Sequence, residues 1–243
     1  MKPLVNWVGL SAGICLLLTS CFEPPQYSPI PSIEFESVIF KDMANTSDPD
    51  SLILTVRFKD GDGNLGLDPN SAEDKSPPFN DKYFFKASDG SIITYKTKRT
   101  MPGYDTLPAF VKPYNCINWE VITSNNVVDT FYFQLNPNHY NIFVDFMVKN
   151  SNGTFTKFDW TKEFSYPQCG ITFDGRFPIL SKDITNKAAL DGKIRYSMQS
   201  TGFLALFSIK TLKLKVIIQD RLLNRSNTVE SAEFTLQQIK KSG

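Results

Sequence analysis

Apolar side chains recur at every second position through most of this chain, and that spacing restricts the fold more than any other feature. Over residues 52–59, Leu52, Leu54, Val56 and Phe58 share one face while Thr55, Arg57 and Lys59 take the other. Over residues 212–219, Leu212, Leu214, Val216 and Ile218 alternate with Lys213 and Lys215. A period of two is that of a strand with one buried face. Comparable runs at 33–40, 83–88, 91–96, 131–135, 141–149, 154–160, 193–198 and 228–238 bring the expectation to nine or ten strands, with 200–208 as the one place for a short helix. With 41% hydrophobic and 13% aromatic residues, the chain can pack one large core. The prediction is an all-β chain, most simply an immunoglobulin-like β-sandwich with inserted β-hairpins.

Turn chemistry punctuates the strands. Asp89-Gly90 and Asn152-Gly153 each join two alternating runs, which predicts type I′ hairpins with positive φ at both central residues. Residues 68–81, with Pro69, Pro77 and Pro78, read as a surface excursion, and 100–114, with Pro102, Pro108 and Pro113, as a long loop. The expected organisation is a signal segment over 1–20, a tether over 21–32, and a single sandwich domain over 33–243 with an insertion of about 68–180.

The N-terminus indicates the compartment. Lys2 is followed by an apolar run from Leu4 to Leu18, the length of a signal-peptide core and too short for a bilayer-spanning helix. It ends in Leu18-Thr19-Ser20-Cys21, which resembles a bacterial lipobox. That resemblance implies cleavage before Cys21 and a diacylglycerol anchor on its thiol. Phe22 follows where an inner-membrane retention signal would carry aspartate, so the expected location is the outer membrane, facing either the periplasm or the exterior. Residues 22–32 contain four prolines and suit a stiff tether of roughly 3 Å per residue. Cys116 and Cys169 remain in the mature chain, and either one disulfide between them or two buried thiols accounts for the pair.

The segment Phe58-Lys59-Asp60-Gly61-Asp62-Gly63-Asn64-Leu65-Gly66-Leu67 offers oxygen ligands at i, i+2 and i+4, a spacing that can wrap a hard cation. It departs from an EF-hand at Leu65 and Ser71, where Gly and Glu would stand. If strands 52–59 and 212–219 lie in facing sheets and run the same way, their exit loops meet, which would bring Asp60, Asp62 and Asn64 to Asp220 and Asn224. Three carboxylates and two amide oxygens then point to calcium. The competing reading makes Asp220 and Asn224 turn caps only.

Other chemistries have little support. With 26 basic and 25 acidic residues there is no field for nucleic acid. The lone His139 lies in a turn-like segment with no nucleophile motif nearby and is expected at the surface. Nothing in their spacing selects Glu120 with Glu163, or Asp145 with Asp159, as a glycosidase pair. The chain is therefore expected to be non-enzymatic. Tyr83, Phe84 and Phe85, or Tyr104 and Tyr114, could present an aromatic platform to a glycan or protein.

Three motifs together, Phe58–Leu67, Gly175-Arg176-Phe177-Pro178-Ile179-Leu180 and Asp220-Arg221-Leu222-Leu223-Asn224-Arg225-Ser226-Asn227, resemble an uncharacterised group of Bacteroidota outer-membrane lipoproteins with an immunoglobulin-like core. The resemblance spans most of 33–238 and implies fold and compartment, with no activity attached. The function expected is a lipid-anchored, non-enzymatic binding or assembly module, with calcium as a stabilising ion. Its alternatives are an accessory subunit of an envelope uptake, secretion or gliding machine, and a cryptic carbohydrate-active enzyme.

Overall fold

A computed structural model of the chain describes residues 26–43, 48–98, 119–124, 127–160, 172–181 and 187–241. Cys21, Cys116, Cys169, Glu163, Tyr104 and Tyr114, and with them the expected signal segment and most of the tether, lie outside these residues.

The described chain is almost entirely β. One sheet has the order β11-β1-β2-β8, from β1 (Ser32–Lys41), β2 (Asp50–Asp60), β8 (Leu190–Ser200) and β11 (Lys240–Lys241). A second has the order β10-β9-β6-β7, from β6 (Ile142–Lys149), β7 (Phe155–Lys157), β9 (Leu212–Ile218) and β10 (Val229–Glu230). Their inward rows share one core: Leu52, Leu54, Val56 and Phe58 of β2 belong with Ile142, Val144, Phe146 and Leu212 to Ile218 of the other sheet in a single buried cluster. Burial alternates down β9 as the sequence periodicity requires. A third sheet, β3-β5-β4, is built from β3 (Lys82–Phe84), β4 (Trp119–Ser124) and β5 (Val127–Leu135).

Two expectations change in detail. Within the anticipated insertion of 68–180, β6 and β7 belong to the second core sheet, so the addition between core strands β2 and β6 is the shorter stretch ending before Ile142. Both hairpin turns place only the glycine in the left-handed region, Gly90 at φ 85° and Gly153 at φ 85°. Backbone bonds from Gly90 N to Ala87 O and from Ala87 N to Ser91 O close a loop one residue longer than type I′. Asp89 and Asn152 instead accept bonds from Ser91 N and Thr154 N, an Asx arrangement that does without positive φ at the first position.

The short helix expected in 200–208 is present at Phe203–Phe207. It caps the core with Phe203 and Phe207, which stack on Phe146 at centroid distances of 6.2 and 5.5 Å. Each buried ring of this kind contributes about 1.5–3 kcal/mol.

Candidate functional site

The inward rows of β2 and β9 explain why carboxylates enter the protein interior. Asp60 is the next inward position after Phe58, and Asp220 the next after Ile218. They are 0% and 3% exposed. The two strands lie in separate sheets and their exit loops touch, with Arg221 N placed 3.4 Å from Asn64 O. The two exit loops therefore meet, which puts Asp60, Asp62 and Asn64 on one side of that contact and Asp220 on the other.

In the first loop each polar side chain uses one end and leaves the other free. Asp60 Oδ2 accepts the Asn64 backbone N–H at 3.1 Å, and Asp62 Oδ2 accepts from Asn64 Nδ2 at 2.9 Å. The second oxygens, Asp60 Oδ1 and Asp62 Oδ1, together with Asn64 Oδ1, are buried and have no hydrogen-bond partner. Buried polar atoms are nearly always paired, so three orphans in five residues mark an incomplete environment.

Asp220 behaves differently. Its Oδ1 accepts Leu222 N at 2.8 Å and Asn224 N at 2.7 Å, and its Oδ2 accepts Asn224 Nδ2 at 2.8 Å. These bonds hold Leu223 at φ 67°, an uncommon conformation for a branched residue. Asn224 thus serves as the cap of this turn, and its side chain meets Asp220 through the amide nitrogen.

The electrostatics follow from crowding. Burial pushes the Asp60 carboxyl up to about 6, with Asp62 and then Asp220 adding to the shift against the Asn64 backbone bond. Burial and the Asp220 charge also raise Asp62. Because the folded protein holds on to a proton at Asp60 that the unfolded chain releases near the ordinary value of 3.8, stability in metal-free buffer should fall as pH rises from about 4 to about 6. The loss should reach at most ~3 kcal/mol. Urea melts in chelator at pH 4.5 and pH 7 check this.

Backbone packing fixes the loop, and the glycines serve that packing. A Cβ on Gly61 would lie 2.2 Å from Tyr27 O, one on Gly63 2.3 Å from Ala188 O, and one on Gly66 2.3 Å from Pro178 O. Gly61 N donates to Ser28 O at 2.8 Å, and Tyr27 Oη donates to Asp191 at 2.9 Å, so the Tyr27-Ser28 segment docks beside the acidic loop. Leu67 N to Phe177 O and Leu180 N to Leu65 O, both 3.1 Å, join the first motif to the 175–180 motif. The three sequence motifs are thus one interlocked unit.

Two arginines support the unit and were not singled out by the sequence. Arg221 turns away from the acidic loop to the buried Asp74, with Nη1 2.7 Å from Oδ2 and Nη2 2.7 Å from Oδ1; the second contact is an ion pair outside hydrogen-bond geometry. Asp74 Oδ2 also accepts Asp68 N at 2.7 Å. Arg176 donates to the carbonyls of His139, Asp74 and Phe79 and stands 2.8 Å from His139 Nδ1. Residues 68–81 run over the surface as expected, with Asp74 and Phe79 as the buried points that fasten them to the core. His139 is a half-buried member of this hub, its pKa lowered by burial.

The remaining candidates scatter. Asp145 pairs with Lys157 on a partly exposed strand face. Glu120 lies on β4, and Asp159 follows β7. Tyr83 is exposed, while Phe84 packs edge-on against Phe131 and Phe133.

Among the described residues no group of three or more His, Cys, Asp or Glu side chains is placed to hold a metal ion, Asp60, Asp62 and Asp220 included; the unpartnered oxygens come from two carboxylates and one amide. No helix among them is long and apolar enough to cross a membrane. No protein-family model, curated protein or solved structure matches this chain.

Proposed function

We propose that this chain is a lipid-anchored outer-membrane protein that acts as a non-enzymatic binding or assembly module on an immunoglobulin-like sandwich. Strand order supports the fold assignment: β1-β2-β8 opposite β10-β9-β6-β7 follows the A-B-E and G-F-C-C′ arrangement, with the β3-β5-β4 sheet inserted between the B and C equivalents. For anchoring, the support is positional. Ser28, docked on Gly61, lies seven residues after Cys21, so a lipid there would hold the acidic end of the domain within about 20 Å of the bilayer.

The observation that carries the binding role is apolar exposure in the inserted lobe. Tyr83, Ile92, Tyr95 and Leu135 are 36–42% exposed, on or beside strands of the third sheet. Exposed apolar and aromatic side chains of this kind suit a protein or glycan partner. Cell fractionation tests the anchor: the chain should take up a palmitate label and sediment with outer membranes, and Cys21→Ala should abolish labelling and leave a soluble or unprocessed product. Labelling that survives Cys21→Ala contradicts the assignment. Mild detergent extraction with crosslinking then reads the partner, with Tyr83→Ser and Leu135→Ser expected to lose it.

A further inference from the structure

We propose that the Asp60–Asn64 loop, closed by Asp220, is a binding site for one calcium ion. The inference depends neither on the lipid anchor nor on the partner surface.

The carrying observation is the set of orphaned oxygens. Asp60 is fully buried, and its Oδ1 has neither a donor nor an acceptor in reach, so neither ionisation nor protonation satisfies it within the protein. Asp62 Oδ1 and Asn64 Oδ1 share that condition two and four residues later. In each carboxylate the other oxygen is pinned by Asn64, which sets the free one in a fixed direction. A cation bound by all three would complete the environment that the protein leaves open.

Charge leads to the same conclusion. Asp60, Asp62 and Asp220 are close enough to repel one another. The nearest guanidinium, Arg221, is committed to Asp74 and Glu73 and does not neutralise them. Lys187, which lowers the Asp62 pKa only as the weakest contribution, is exposed. Evolution of an inward row ending in aspartate on both strands is hard to reconcile with a protein that must hold those charges unpaired.

The ligand set selects the ion. All the donors are hard oxygens, with no imidazole or thiolate among them, which favours calcium or magnesium over transition metals. The loop backbone is clasped by Tyr27, Ala188 and Pro178, so it cannot contract to the tight octahedron that magnesium demands. Three loop oxygens are the direct protein ligands, and the Asp220 carboxylate, with three of its lone-pair sites used within its own turn, adds negative charge beside them. Water can complete a shell of 6 to 8 through the cleft that opens on Asp62 and Asn64 beside Lys187 and Leu222.

The test is calorimetric titration of calcium chloride into the chelator-treated full chain in mild detergent at pH 7, paired with thermal melts. One calcium per chain is expected, with a dissociation constant of about 10⁻⁵ to 10⁻³ M and magnesium at least tenfold weaker. The melting midpoint should rise by roughly 3–8 °C at 5 mM calcium. Asp62→Asn should weaken binding at least tenfold. Asp60→Asn should abolish the response and also raise the calcium-free midpoint, since it removes a repelled charge; a merely structural aspartate would not give that crossing. Asp42→Asn, at the opposite end of β1, should respond to calcium like the wild type. Absence of heat and of any midpoint shift at 5 mM calcium, magnesium binding as tight as calcium, or unaltered affinity in Asp62→Asn would each overturn the assignment.

Discussion

Gly66→Ala should destabilise the folded chain by about 3–5 kcal/mol, seen as a fall in melting midpoint of ~10 °C or more. Two costs act at once. Gly66 has φ 106°, where an L side chain is strained, and its Cβ would stand 2.3 Å from Pro178 O and 2.4 Å from Ile179 Cα. Both obstacles are backbone, so the 175–180 segment must move away, breaking the paired bonds between Leu65, Leu67, Phe177 and Leu180. Gly90→Ala and Gly153→Ala provide the comparison. They share a positive φ of 85° but meet nothing within 4 Å, and should cost only ~1 kcal/mol each. Equal effects at all three positions would show that φ alone matters, and that the interlock of the motifs does not.

Asp74→Ala should be about as damaging, at roughly 3–5 kcal/mol by urea denaturation. The Arg221 side chain is 12% exposed and that of Asp74 1%. Removing the carboxylate leaves a buried guanidinium whose remaining anionic partner is the exposed Glu73, and it strips the Asp68 N–H of its acceptor. Replacing both members of the pair, Asp74→Leu with Arg221→Met, should recover much of the loss, because two well-packed apolar side chains avoid the desolvation cost that the ion pair only offsets. A double variant as unstable as Asp74→Ala would mean that residues 68–81 are held by charge-specific bonds. Recovery would mean that they are held by packing.

The period-two rows carried most of the fold into the sequence. Leu52 to Phe58 and Leu212 to Ile218 are inward rows of facing sheets, and continuing each row by one step reaches Asp60 and Asp220. The meeting of the two loops was legible for that reason: strand register sets it without any contact that must be guessed. The turn chemistry was half legible. Glycine marks a required positive φ, but Asp89 and Asn152 can satisfy the turn through their side chains and so do not need the conformation that a type I′ turn imposes.

The supporting shell was not legible. Asp74 lies among Ser, Glu, Lys and Pro in a stretch that looks solvated, and only the arrival of Arg221 from nearly 150 residues away makes its burial tolerable. Arg176 bonds to backbone carbonyls, which every residue carries, so no sequence pattern identifies its partners. The glycines of Phe58–Leu67 suggested freedom to wrap an ion. In the structure they allow three other backbone segments to approach, and the resulting rigidity is what leaves Asp60 Oδ1, Asp62 Oδ1 and Asn64 Oδ1 unpaired. Asp220 and Asn224, weighed as ligands or as turn caps, form a bonded turn in which Asp220 still faces the acidic loop.

The most direct measurement is a crystal structure of the chain grown with calcium, with anomalous data collected to locate the ion. One anomalous peak is expected at the acidic loop, about 2.3–2.6 Å from Asp60 Oδ1, Asp62 Oδ1 and Asn64 Oδ1, with Asp220 turned toward it. An empty loop with those three oxygens still unpaired, or calcium found only at surface carboxylates elsewhere, would contradict the site.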